Sequence, residues 1–486
     1  MESVSTLSLN SSASSSTTID GTCPPTIYEN VCMLYSRNSS EILSYRRFNK
    51  FSNDLTDEIV NAKYFQYKEG FSQAVIGDSY FVWEKQIGET TQGVVTLQIS
   101  ITDFVLWFIN LLITSSQVSF PKAKDLSEYA DLVTDAFATK LKHTVEHDMW
   151  DAIGRDHFKK SVEFFTSRGQ PLEAVLPAFP CKSSNYEKVS GDLPDKGEEL
   201  ALQRLIYFAE QVQQIYPPGI IIWIVSDGHV FSDCIAVDDC NVNRYSAGLK
   251  QMYKRIKPAD SSPIKFCSLP EIFKFSKELP AMVENVDLGH FLGTEIDPES
   301  EVCRKILMSS CDTDNGKLRE DIKTPGHARL YLFRGFSKFM TEDLQFHPKV
   351  GKMTRKKFKK IVSQVAHEMI KRNDAYSNLV ELMFPFHLRF SIHAHNNAGP
   401  KFGISLLSKN GTEQCLPIES IQDHKEPKCT DLLHIPTPWH NSIVRIDDNK
   451  TYYVIKAEKI NQAMGDGCGS GGWDPNNLHY VFTTTN

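Results

Sequence analysis

Several signatures of familiar chemistries are missing from this chain. It has no C-x-x-C pair, no H-E-x-x-H, no G-x-S-x-G elbow and no G-x-x-x-x-G-K-[ST] loop. A cysteine-ligated zinc site, a zincin, an α/β-hydrolase nucleophile and a Walker-type phosphate loop therefore have no basis in the sequence. "AHEM" (366–369) stops one histidine short, and "GCGSGG" (467–472) has neither the lysine nor an adjoining strand. Cys234/Cys240 and Cys303/Cys311 match no metal spacing, and nothing marks a nucleophilic cysteine. The eleven cysteines are odd in number and scattered, as expected of reduced thiols in the cytoplasm.

An excess of positive charge is also lacking. The chain carries 53 Lys and Arg against 60 Asp and Glu, a net charge of −7. Nucleic acid is therefore not an expected partner. The one basic run, Lys349 to Lys360, reads as a solvated helix face. No clean apolar run reaches membrane-spanning length. The best window, Val94 to Ile113, contains Gln98, Asp103 and Asn110 and reads as a buried strand followed by a helix. A membrane is thus not an expected partner either. "MESVSTLSLNSSASSSTT" lacks a basic n-region and an apolar h-region, so a secretory signal is not expected.

What remains is the composition of a soluble globular protein, 41% apolar and 23% charged, with length for two to three domains. Residues 1–24 read as a disordered Ser/Thr-rich tail. Residues 25–120 read as a smaller N-terminal α+β portion without evident chemistry. The main unit is expected over 121–450, and a C-terminal strand with a flexible tail over 451–486. Within the main unit, helices are predicted over 124–146, 147–168, 195–216 and 243–256. They alternate with strands "LEAVLPAFP" (172–180), "IIIWIV" (220–225) and "IKFCSL" (264–269). This rhythm predicts an α/β fold with a Rossmann-like, mostly parallel sheet flanked by helices. Helices over 299–310, 326–344 and 353–384 follow. Two strands, 387–395 and 401–407, are expected to be joined by the polar turn "NNAGP". Further strands are expected around 442–446 and 452–457.

Three polar clusters stand out. At the end of the apolar strand, "IIIWIVSDGHVFSD" turns abruptly polar. Ligands of open parallel sheets bind beyond strand C-termini, so Ser226, Asp227, His229 and Asp233 become candidates. Asp227 is read as an amine-orienting or proton-shuttling group and His229 as an acid/base. Gly228 permits a close backbone approach. The second cluster, "FPCKSSNYEKVSG" (179–191), offers Lys182, Ser183 and Lys188 to an anion. The third, "RFSIHAHNNAGPK" (389–401), puts Arg389, Ser391, His393 and His395 on one strand face by period-two alternation. With Lys401 they suggest a cationic pocket for an anionic substrate. His-x-His on a strand can ligate a metal, but a mononuclear site needs a third ligand, so no metal is expected; a metal-dependent hydrolase built on Asp227, His393 and His395 and a non-catalytic ligand-binding protein are the alternatives of another class.

Longer stretches carry a resemblance. "LPAFPCKSSNYEKVSGDLPDKGEELALQRL" (176–205), "YPPGIIIWIVSDGHVFSDCIAVDD" (216–239), "YLFRGFSKFMTEDL" (331–344), "MIKRNDAYSNLVE" (369–381), "FPFHLRFSIHAHNNAGPKFGISLL" (384–407) and "TPWHN" (437–441) occur in order. Over roughly 125–445 the chain resembles the pyoverdine/dityrosine biosynthesis family of isocyanide synthases and fungal spore-wall enzymes. The resemblance implies an enzyme that converts the α-amine of an amino acid (tyrosine, tryptophan or an aliphatic one) to an isocyanide. The carbon would come from ribulose 5-phosphate as co-substrate, with no cofactor. The spore-wall branch instead implies N-formyl-tyrosine as product. A downstream oxygenase or cytochrome P450 is the implied pathway partner. In that setting Asp227, His229, Asp233 and Lys182 are the candidate catalytic groups, Lys182 also as a Schiff-base lysine. Ser183, Lys188, Ser226, Arg389, His393, His395 and Lys401 are the candidate substrate- and phosphate-binding groups.

Overall fold

The computed structural model describes strands within residues 28–100, and then 127–485 except 168, 258–261, 273–285, 310, 312, 349, 385–386, 408–414, 418–435 and 448–451. The first portion forms an antiparallel sheet of β1 (Tyr28–Arg37), β2 (Ile42–Asn49), β3 (Ser72–Gly77), β4 (Tyr80–Ile87) and β5 (Thr90–Ser100), in the order β2-β1-β5-β4-β3. The expected buried strand at Val94 is thus the second half of β5. The helix expected after it, and the 1–24 tail, lie outside the described residues.

The main unit is built on β6 (Leu172–Pro177), β7 (Ile220–Ser226), β8 (Ile264–Ser268), β9 (Leu388–Ser391) and β10 (Lys401–Gly403). Their order is β10-β9-β6-β7-β8, and every pairing is parallel. Helix Lys196–Ile215 crosses from β6 to β7, and helix Asp239–Ile256 from β7 to β8. From β8 the chain runs through helices Pro298–Ser309, Ala328–Leu344 and Arg355–Met383 before β9 docks on the other side of β6. The strand order therefore reverses at β6 and β9, the place where open α/β sheets hold ligands.

Near-continuous burial of β6 and β7 reflects helices packed on both faces. Phe137, from helix Ser127–Lys140, stacks on Phe158 at 4.2 Å and on Phe390 of β9 at 5.5 Å, tying the outer helices to the sheet. Helix Lys196–Ile215 starts with a capping box. The Asp195 carboxylate accepts from the Gly197 N–H, and the Glu198 carboxylate accepts from the Asp195 N–H.

Two expectations change. The segments around "NNAGP" are not a hairpin: β9 and β10 run parallel, with Arg389 opposite Lys401. The expected C-terminal strand and flexible tail instead belong to a mixed sheet. It contains β11 (Cys415–Pro417), β12 (Ser442–Ile446), β13 (Tyr452–Ile455), β14 (Gly469–Asp474) and β15 (His479–Thr484), in the order β11-β13-β12-β15-β14. Glycine here marks close approach, not freedom: a Cβ on Gly471 would lie 2.0 Å from the Val481 carbonyl oxygen.

Candidate functional site at the sheet switch point

The ends of β6, β7 and β9 open on a cavity of about 330 Å³, within the ~300–1,000 Å³ usual for small-molecule sites. Pro177 ends β6, Asp227 follows β7, and Arg389 and Ser391 share one face of β9. Gly228 holds the Asp227 tip in place. A Cβ there would stand 2.3 Å from the Pro180 carbonyl oxygen, so only glycine lets the two strand tips touch. Helix Arg355–Met383 supplies Met369, Asn373, Tyr376 and Ser377, an i, i+4, i+7, i+8 face. Leu332, Phe336 and Phe339 come from helix Ala328–Leu344, and Trp439 and His440 from the turn Pro438–His440.

The polar groups gather around Ser377 and Ser391. Arg389 Nη2 and Lys401 Nζ both donate to Ser377 Oγ, at 3.1 and 3.3 Å, while Arg389 Nη1 pairs with Glu381 at 2.9 Å. Ser391 Oγ accepts from the His393 backbone N–H at 3.1 Å and lies 3.0 Å from His395 Nε2. Burial, then the nearby Lys401 charge, pushes the His393 ring down to about 4. Burial, then His393, Lys401 and Arg389, pushes His395 down to about 3. Both rings are neutral near pH 7. Asp227 Oδ1 is buried without a hydrogen-bond partner, and burial raises the Asp227 carboxyl to about 6. The opposite wall is apolar and aromatic: Phe339 meets His440 edge-on at 4.9 Å, and Trp439 packs on Phe179 at 5.0 Å.

Of the residues singled out in the sequence, Asp227, Arg389, Ser391, His393, His395 and Lys401 meet in this cavity. The others stand elsewhere. The His229 ring is buried with Nε2 2.9 Å from Asn243 Oδ1, and burial lowers its pKa. Asp233 receives both arms of Arg372, at 2.5 and 3.0 Å, and His290 at 2.8 Å. Burial alone would raise its carboxyl, but His290 and Arg372 hold it well below the usual carboxylate range. Lys182 is sealed between Asp195 and Glu198, each at 2.8 Å, and donates to the Pro438 carbonyl at 3.0 Å. Burial alone would lower the Lys182 pKa, but the two carboxylates raise it, which is opposite to what a Schiff-base lysine needs. Lys188 pairs with Asp343 at 2.5 Å, and Ser226 Oγ donates to the Phe179 carbonyl at 3.1 Å.

Lys182 and Ser183 border a second, larger cleft of about 500 Å³, which shares Cys181 with the first. Its charged side chains are already answered: Asp192 by Arg244, Asp238 by the Glu295 N–H, and Lys182 as above. The smaller cavity, with its unpaired carboxyl, is therefore the candidate site. Among the described residues, no group of three or more His, Cys, Asp or Glu side chains is placed to hold a metal ion. No helix among them is long and apolar enough to cross a membrane. Sequence reasoning missed Asn373, Tyr376, Ser377, Arg329 and the Trp439–His440 turn. The available signal was polar Asn, Tyr and Ser on the inward, otherwise apolar stripe of a long helix.

The neutral histidines have a consequence for stability. His143, with Nδ1 2.8 Å from Ser405 Oγ, is pushed by burial down to about 4. With His393 and His395 it stays neutral in the folded chain but charges near pH 6.5 when unfolded. Protons thus bind the unfolded state more strongly. The unfolding midpoint is expected to fall from about pH 6.5 to about 4, each ring contributing up to about 1.4 kcal/mol per pH unit, partly offset by buried Asp195 and Asp227, whose raised carboxyls take up protons in the folded chain over the same range. Thermal melts across that range check it. A flat profile, or a slope unchanged by His395→Gln, contradicts the assignment.

Known proteins resemble this chain over most of its length. A family model described as "Pyoverdine/dityrosine biosynthesis protein" matches residues 162–466. Spore wall maturation protein DIT1 of Saccharomyces cerevisiae is 46% identical over 445 residues, which are 90% of this chain and 79% of the yeast protein. L-tryptophan isonitrile synthase AmbI2 of Fischerella ambigua is 28% identical, over 64% of this chain and 77% of its own. The crystal structure of the PvcA protein from Pseudomonas aeruginosa shares the fold, with a TM-score of 0.55 at 22% identity, covering 73% of this chain and 100% of that one. The fold is that of an α/β protein with a cavity at the sheet switch point. The chain belongs to the pyoverdine/dityrosine biosynthesis protein family, in which relatives at about 28% identity are named isonitrile synthases.

Proposed function

We propose that this protein is an isocyanide synthase that converts the α-amine of an amino acid with ribulose 5-phosphate as carbon donor. One observation carries the reading: an unpaired carboxyl, two cations on one hydroxyl, two neutral imidazoles and an aromatic wall share one cavity. Arg389, Lys401 and Ser377 grip the phosphate. The apolar wall of Leu332, Phe336, Phe339 and Trp439 takes the amino-acid side chain. Asp227 removes protons from the amine as it attacks the ketone and loses water to form an imine. His393 and His395 relay protons in the shifts that precede carbon–carbon cleavage.

The 46% identity to the yeast spore-wall protein favours a second reading, release of the N-formyl amino acid. An isocyanide and its formamide differ by one water. Incubating the purified protein with ribulose 5-phosphate carbon-13-labelled at C2 and a mixture of tyrosine, tryptophan, valine and leucine tests both. A labelled isocyanide forming first supports the lead reading, and a labelled formamide forming first supports the second. No labelled product from folded protein rejects both. In the same assay Arg389→Ala is expected to raise the pentose-phosphate KM about tenfold or more, the scale of a lost charge-assisted hydrogen bond. An unchanged KM would remove Arg389 from the phosphate site.

A further inference from the structure

One polar group in the cavity is left without work by these roles. Asn373 lies one helical turn before Ser377, and both side chains line the cavity. Its carboxamide hydrogen-bonds to no described residue, so both its N–H donors and its carbonyl oxygen are open to a ligand that enters the cavity. Tyr376, on the same turn, donates to the Val225 carbonyl at 2.8 Å. That contact seats the 373–377 turn against the tip of β7, which carries Asp227. The Asn373 carboxamide and Asp227 Oδ1 thus both lack a protein partner, on two residues that line one cavity.

We propose that Asn373 binds the α-carboxylate of the amino-acid substrate while Asp227 takes its α-amine, so that the site selects free α-amino acids over the matching decarboxylated amines. The inference deepens the proposed reaction and rests on it for the identity of the substrate. The cationic donors that line the cavity are already engaged. Arg329 is held by Asp374 at 3.1 Å and Asp321 at 3.8 Å, and Arg389 and Lys401 converge on Ser377. The choice of an amide has a physical logic. A lysine or arginine at 373 would pair with Asp227 and weaken it as a base, whereas an uncharged N–H donor holds the carboxylate and leaves Asp227 basic. The spacing also suits the reaction. Residues four apart on a helix have Cβ atoms about 5–6 Å apart. The head group at 373 therefore lies beside the phosphate clamp at 377, close enough for the amine to reach the pentose.

Calorimetric titration of the full chain tests this without requiring turnover. The probes are tyrosine, tryptophan, valine and leucine, each beside its decarboxylated amine. Wild type is expected to bind at least one amino acid about tenfold or more tighter than its amine. In Asn373→Leu that preference is expected to disappear, with the ligand-free melting temperature unchanged because no protein hydrogen bond is lost. Asn373→Asp is expected to weaken the amino acid further by repelling its carboxylate. Where turnover is measurable, Asn373→Leu raises the amino-acid KM and leaves the pentose-phosphate KM alone. Equal affinity for acid and amine in wild type, an unchanged preference in Asn373→Leu, or no binding of any amino acid overturns the inference. Intact acid-over-amine preference without labelled product would instead reject the proposed reaction and leave the carboxylate assignment standing.

Discussion

Asp227→Asn is expected to abolish turnover, by about 10²–10⁴-fold or more in kcat, while the folded protein stays as stable as its parent or gains stability. Asp227 Oδ1 has no hydrogen-bond partner, so the amide replaces nothing that the fold uses. The carboxylate is the costly form here, since burial raises its pKa from 3.8 to about 6. A neutral isostere escapes that desolvation. The same shift sets a pH signature. The base form dominates only above the folded pKa, so kcat/KM is expected to rise about tenfold per unit up to about pH 6 and then level off. Turnover, melting temperature and pH profile of the two proteins check this together. Wild-type activity in the asparagine variant would remove Asp227 from the chemistry, and a collapsed melting temperature would make its role structural.

Asp233→Ala is expected to do the reverse, destabilising the protein by about 3–5 kcal/mol in urea unfolding at pH 7. Arg372 is fully buried and gives both arms to Asp233 while also donating to the Val230 carbonyl at 2.9 Å. Beside it, buried Arg304 grips Asp239 at 2.7 and 3.0 Å and the His229 carbonyl at 3.0 Å. The two arginines clamp the 228–234 segment from beneath. Removing Asp233 strands a guanidinium in the interior with Glu368 as its remaining carboxylate neighbour. The inflection near pH 6 in the activity of the folded fraction belongs to Asp227 and is expected to remain. Wild-type stability with lost turnover would instead return Asp233 to the catalytic set.

The two aspartates show where sequence reasoning holds and where it stops. Asp227 and Asp233 stand six residues apart after the same apolar strand, and both read as strand-tip acids. The short helix Gly228–Phe231 and the turn after it carry the second away from the cavity and into the arms of Arg372. Arg372 lies 139 residues further on, and no local pattern announces that pairing. Lys182 is a similar case. Its neighbours suggested an anion loop, but its partners are the capping-box acids Asp195 and Glu198. The members of the third cluster do line one cavity, but β9 ends at Ser391, so His393 and His395 stand in the loop beyond the strand and not on its face, and burial keeps both rings neutral, leaving Arg389 and Lys401 as its cations.

By itself the sequence determined the α/β rhythm and the family resemblance. Apolar period, caps and breakers are local properties, and they act over a few residues wherever the chain goes. Only the tertiary structure decided which polar residues meet. Burial and charge pairing depend on groups brought together from distant segments. Sheet order set β9 beside β6, and the long helix Arg355–Met383 laid Asn373, Tyr376 and Ser377 along their ends. The same packing gave Lys182, Lys188 and Asp233 ionic partners, which committed their charges to the fold, and left Asp227 Oδ1 and the Asn373 carboxamide, on two residues that line the cavity, without a protein partner.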